Sequence, residues 1–177
     1  ETVDTKLAPL AALVNNAGIV DKAAPVADMS LARLNRMFST NITGPFLCAR
    51  EAVKRLSTAR GGPGGGIVNI SSVAARLGSP NEYVDYAASK AAIDAMTIGL
   101  SKEVANVGIR VNAVRPGVIY TEIHASGGEP DRVERVKSMV PMQRGGEVEE
   151  IADAALWLLS EEASYVTGAL LDVSGGR

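Results

Sequence analysis

With 46% hydrophobic and 21% charged residues in 177 positions, the chain has the makeup of one folded domain with a substantial core, not of a disordered segment. A formal net charge of −2 and the lack of any basic cluster argue against nucleic-acid binding. One cysteine excludes a disulfide framework and a thiolate metal site, and no apolar run approaches the ~20 residues of a membrane span, so a cytoplasmic protein without metal is expected.

The first residues, Glu1 to Leu7, read as the tail of a helix already under way. Leu10 to Asn15 is an unbroken apolar run, the pattern of a parallel strand covered on both faces. It ends in Asn15-Asn16-Ala17-Gly18, a turn where backbone can approach a ligand closely. Ser30 is an N-cap for a helix over about 31–56. Inside that helix Pro45 removes the hydrogen bond to the carbonyl of Asn41, which either marks a plain kink or frees that carbonyl for a ligand or water. Cys48 is expected to be a small buried residue of this helix.

Gly61 to Gly66 invites a phosphate-loop reading, but it precedes a strand and lacks the Gly-Lys-Ser/Thr ending, so a flexible surface connection is expected. Ile67 to Ser72 is the next strand, and its two serines stand where ligands bind in open α/β sheets. The helix from Tyr86 to Val107 follows, stopped by Gly108. Tyr86 and Lys90 lie one turn apart on one face of it. A cation about 5 Å from a phenol supplies roughly 3 kcal/mol toward the phenolate at an effective dielectric constant near 20, which suits a general acid/base for carbonyl–alcohol chemistry. Alone, the pair also fits an ordinary helix with a snorkelling lysine.

Ile109 to Val114 is a third strand, closed by Arg115-Pro116-Gly117. The polar stretch 121–142 has the composition of a lid, with the sole histidine, His124, and a short helix over 131–140. No Gly-x-Ser-x-Gly elbow supports a hydrolase. Val148, Ile151, Ala152, Ala155, Leu156 and Leu159 recur at helical spacing and predict an amphipathic helix; Gly168 to Val173 is a fourth strand. Alternation of strand and helix indicates an α/β fold, a doubly wound, mostly parallel sheet in three layers.

Taken together, Asn15-Asn16-Ala17-Gly18, Asn41, Ile70-Ser71-Ser72, Tyr86-x-x-x-Lys90, Pro116-Gly117 with Thr121 and the closing Gly168 strand resemble the classical short-chain dehydrogenase/reductase family, in its order and close to its spacing. The resemblance implies a Rossmann-type, NAD- or NADP-dependent oxidoreductase that interconverts a carbonyl and an alcohol of a small molecule. In that reading Tyr86 is the acid/base and Ser72 polarises the substrate oxygen. Lys90 holds the nicotinamide ribose and lowers the Tyr86 pKa. Asn41, through its main-chain carbonyl, holds a relay water. Asn16, Ala17 and Gly18 lie against the cofactor, as do Pro116, Gly117, Val118, Ile119 and Thr121.

Two departures follow. The family's glycine-rich pyrophosphate turn and the acidic or basic choice between NAD and NADP have no counterpart here, so residues 1–177 read as the second part of one such domain, lacking its N-terminal strands. Ser72 and Tyr86 are 14 apart, one more than usual, which the loop 78–82 could absorb. A truncated scaffold that binds partners without turnover is the alternative. A modestly polar substrate pocket is expected at Leu77, Tyr83, Ile123 and His124. Alanines at 87, 88, 91, 92 and 95, with Gly99, give the Tyr86 helix a second small-residue face, to be covered with Phe46, Ala49 and Val53 by a second subunit in a homodimer or homotetramer.

Overall fold

A computed structural model describes residues 8–177; the expected helix tail at 1–7 lies outside the described residues. Four strands, β1 (Ala12–Asn15), β2 (Gly65–Ile70), β3 (Ile109–Pro116) and β4 (Leu170–Val173), form a sheet in the order β1-β2-β3-β4 among the described residues, each pair parallel. Parallel strands need crossovers, and the helices supply them. α1 (Leu31–Phe38) and α2 (Gly44–Leu56) join β1 to β2, α3 (Ala74–Leu77) and α4 (Val84–Val104) join β2 to β3, and α5 (Ile123–Ser126), α6 (Arg132–Val136) and α7 (Val148–Leu159) lie between β3 and β4.

Strand alternation sorts the core into two sides. Ile67, Ile109 and Val111 pack with Ala52, Leu56 and Val104 beneath α2 and α4. Val68 and Val114, pointing the other way, pack with Ala155 and Leu158 of α7. Burying each such aliphatic side chain contributes about 2 kcal/mol. The result is the expected doubly wound, three-layer α/β arrangement.

The expected helix over 31–56 is continuous but not uniform. Ser30 Oγ accepts from the Arg33 N–H at 3.2 Å and starts α1. A wide π turn at Ser39–Thr43 then separates α1 from α2. Pro45 falls in the first turn of α2, directly after the π turn. Cys48 is exposed, contrary to expectation, because α2 turns it away from the sheet while Ala49 and Ala52 face inward.

The stretch 61–66 is a packed turn and not the loose connection expected. Gly64 N–H bonds to the Leu56 carbonyl at 2.8 Å and Gly65 N–H to that of Gly108 at 3.0 Å. Gly65 has φ +147, and a Cβ there would meet the Ala11 carbonyl at 2.2 Å, so only glycine lets β2 begin beside β1. On α7, Leu158 is buried while Leu156 and Val148 are exposed, so the inward stripe is narrower than the spacing predicts. Among the described residues no helix is long and apolar enough to cross a membrane.

Candidate active site

Because β1, β2 and β3 run parallel, their carboxyl ends open on the same edge of the sheet. Residues Asn16, Ala17 and Gly18 after β1, Ser72 after β2, and Pro116, Gly117, Val118 and Ile119 at the end of β3 line one cleft of about 830 Å³ with Tyr86, Lys90 and Thr121. Leu77, Tyr83, Ile123 and His124, the expected substrate wall, line it too.

Helix α4 carries the reactive pair. Lys90 Nζ sits 5.6 Å from the centroid of the Tyr86 ring. It donates to the Ile70 carbonyl at 2.7 Å and is 4% exposed. Burial lowers the Lys90 pKa to about 8, against the opposing pull of the Asp94 carboxylate. The Tyr86 pKa is raised from its ordinary value, first because the phenol is buried, with the Ser72 hydroxyl and the Arg132 charge working the other way. In the chain by itself desolvation thus outweighs the Ser72 hydroxyl and the Arg132 charge.

Ser72 is buried, and its Oγ accepts from the Ala74 N–H at 3.1 Å, which leaves its own proton for another acceptor in the cleft. Asn41 stands behind the lining. Its side chain accepts from the Ile19 N–H at 2.8 Å, donates to the Ile19 carbonyl at 2.9 Å and to Ser89 Oγ at 3.1 Å. This side chain therefore braces the loop after β1 against α4. A Cβ at Gly18 would stand 3.4 Å from Lys90 Nζ, so this glycine lies directly against the ammonium.

Charged residues that sequence reasoning missed hold these parts in place. Asp85, 3% exposed, takes a two-pronged contact from Arg33, Nε to Oδ2 at 2.7 Å and Nη2 to Oδ1 at 3.0 Å, and accepts the Tyr86 N–H at 2.9 Å. The stretch 121–142 is tied to the start of α4 by Tyr83, whose hydroxyl donates to Glu129 at 2.8 Å, and by Arg132, which reaches Glu82 at 2.7 Å and lies 4.8 Å over the Tyr83 ring. Arg135 also pairs with Glu129. His124 Nε2 lies 2.9 Å from the Ile119 carbonyl, and burial lowers its pKa. Acids near a helix start hint at Asp85, but no local spacing reveals that Arg33 is its partner.

A family profile described as enoyl-(acyl carrier protein) reductase matches residues 1–177. The chain belongs to the short-chain dehydrogenase/reductase family, whose fold and strand-end cleft it shows. It is similar to the uncharacterised oxidoreductase YgfF of Escherichia coli (strain K12), with 65% identity over 99% of this chain and 71% of the relative. Glucose 1-dehydrogenase 2 of Bacillus subtilis (strain 168) is 41% identical over 93% of this chain and 62% of its own length. Among solved structures, 3-ketoacyl-(acyl-carrier-protein) reductase from Brucella melitensis complexed with NADH superposes with a TM-score of 0.91 at 30% identity, covering 99% of this chain and 70% of that one. The chain spans 71% of the length of that Escherichia coli relative and as little as 54% of another curated relative, glucose and ribitol dehydrogenase of Daucus carota.

Proposed function

We propose that the protein to which these residues belong is an NAD- or NADP-dependent oxidoreductase that interconverts a carbonyl and an alcohol on a small molecule. One observation carries this reading: the Tyr86 phenol, the Ser72 hydroxyl and the Lys90 ammonium line one cleft at the carboxyl ends of parallel strands. A bound nicotinamide nucleotide would supply or accept the hydride and, when oxidised, a positive charge. Asn16, Ala17, Gly18, Pro116, Gly117, Val118, Ile119 and Thr121 would lie against it, and Lys90 would hold its ribose.

In the reductive direction the Tyr86 hydroxyl gives its proton to the substrate oxygen, and the Ser72 hydroxyl donates a hydrogen bond to the same oxygen as negative charge gathers there. The ammonium of Lys90 lowers the cost of the phenolate left on Tyr86. Pro45, with no N–H, leaves the Asn41 carbonyl without its usual donor, consistent with a water there that passes protons to Lys90. Residues 121–142 act as the lid, and Leu77, Tyr83, Ile123 and His124 contact the substrate. We read residues 1–177 as a single domain of cytoplasmic character.

The same reading includes a homodimer or homotetramer. Ala88, Ala91, Ala95 and Gly99 of α4 and Phe46 of α2 are exposed, which supports a packing face; Ala49 and Ala87 are buried within the chain instead. Light scattering on the full-length protein tests this, and a monomer mass refutes it. For the chemistry, Tyr86→Phe in the full-length protein should abolish turnover and leave cofactor affinity nearly unchanged, since the hydroxyl is needed mainly in the transition state. Lys90→Ala should weaken both. Equal losses of cofactor binding in the two variants would refute these roles.

A further inference from the structure

Behind the cleft, outside its lining, lies a buried carboxylate that the proposed reaction does not use. Asp94 follows Lys90 by one helical turn of α4 and is 6% exposed. Residues so spaced share a helix face, with Cβ atoms about 5–6 Å apart. Arg115, at the end of β3, grips one oxygen of Asp94, with Nε at 3.1 Å and Nη2 at 2.8 Å from Oδ2. The other oxygen, Oδ1, is buried without a hydrogen-bond partner among the described residues. A buried carboxylate held by one oxygen only is a costly way to join a helix to a strand; an apolar pair would serve at least as well. Its charge is the property that an apolar pair lacks.

The charges continue outward in alternating sign. Arg115 Nη1 lies 3.5 Å from Asp172 of β4, and Asp172 is 3.0 Å from Arg76 of α3. The far side of Arg115 is thereby balanced, so Asp94 is not simply neutralised by it. Of the groups around Lys90, Tyr86 and Asp94 share its helix, Ile70 offers a neutral carbonyl from β2, and Gly18 of the loop after β1 and Asn41 of the π turn are uncharged. Among these groups Asp94 is the carboxylate that acts on the ammonium.

We propose that Asp94 is a positioning residue for Lys90: anchored by Arg115, its carboxylate keeps the lysine in the ammonium form that the cleft requires. The inference rests on the role given to Lys90 above. Burial alone drives a lysine toward the neutral amine, and a neutral Lys90 would neither favour the Tyr86 phenolate nor donate as strongly to a ribose hydroxyl. A negative charge one turn away opposes this without occupying the cleft.

The test is the pH dependence of kcat/KM for carbonyl reduction by the full-length protein, from pH 6 to 10, in the native protein, Asp94→Asn and Asp94→Glu. Asp94→Asn retains a hydrogen bond to Arg115 but removes the charge, and should bring the alkaline fall of activity about one pH unit lower. Asp94→Glu should return it toward the native position. The pH at which cofactor affinity falls should move in parallel. If Asp94→Asn does not fold, the double variant Asp94→Asn/Arg115→Met removes both charges of the pair and should show the same displacement. An alkaline limb that coincides with the native one in the folded variant overturns the proposal, even when Tyr86→Phe has abolished turnover; activity retained by Tyr86→Phe refutes the reaction assignment instead.

Discussion

Lys90 donates to the carbonyl of Ile70 at 2.7 Å, so the lysine of α4 is fastened to the last residue of β2. Ser71 and Ser72 leave the strand from that same residue, and Ser71 Oγ in turn donates to the Lys90 carbonyl at 3.1 Å. Two hydrogen bonds thus set the distance between the ammonium and the serine loop. A helix and a strand that are 20 residues apart along the chain become one rigid support for the cleft.

Burial of Lys90 makes stability depend on pH. Its pKa in the folded protein is about 8, against an ordinary value of 10.5. Between these values the unfolded chain holds the proton more tightly than the folded one, so native stability rises with pH across that window. Relative to Lys90→Met, the native protein should gain about 2–3 kcal/mol from pH 7 to pH 10.5. Urea unfolding of both at the two pH values measures this, and a constant difference between them refutes it.

Removing the guanidinium beside Asp85 should be severe. Arg33→Met leaves a carboxylate of 0% side-chain exposure without its countercharge, at a cost of about 3–5 kcal/mol. The double variant Arg33→Met/Asp85→Asn should recover much of that loss in the same denaturation experiment, because the buried charge is then gone. Equal destabilisation by the single and double variants would show that the pair acts through packing alone.

Gly65 and Gly61 provide a matched contrast. Both have positive φ, but a Cβ at Gly65 meets the Ala11 carbonyl at 2.2 Å, whereas one at Gly61 meets nothing within 4 Å. Gly61→Ala should cost about 1 kcal/mol, the ordinary left-handed penalty. Gly65→Ala carries a steric clash with backbone as well and should cost about 3 kcal/mol or more. The difference in unfolding midpoint reads this directly.

Tyr83 ties the stretch 121–142 to the start of α4 through its 2.8 Å hydrogen bond to Glu129, and burial with that carboxylate raises its pKa to about 12. Tyr83→Phe removes the tie and keeps the ring under Arg132. KM for the substrate should rise about 5- to 10-fold, the net worth of one ordinary hydrogen bond, with kcat changed less. A fall in kcat with unchanged KM would place the effect on Tyr86 instead.

Much of the fold could be read from local pattern. Apolar runs bounded by glycine and asparagine mark all four strands within about two residues, and helical spacing alone puts Tyr86 and Lys90 on one face. The misses share a cause. Helical spacing places Leu156 inward and Ala49 outward, and cysteine's usual burial places Cys48 inward, but which arc of a helix meets the sheet depends on the angle at which the helix docks. The rise of the Tyr86 pKa was missed because burial of a phenol is decided by what covers it.

The sequence by itself determined the alternation of strands and helices, the order of the chemical groups and the family, because each of these depends on residues near one another along the chain. Tertiary structure alone decided which charges meet. Arg33 is 52 residues from Asp85, and Arg115 is 21 from Asp94. No helical or strand period links positions so far apart. They are joined because the parallel sheet sets the end of β3 beside α4, and α4 beside α1. Once buried there, a carboxylate must find a cation or lose its charge.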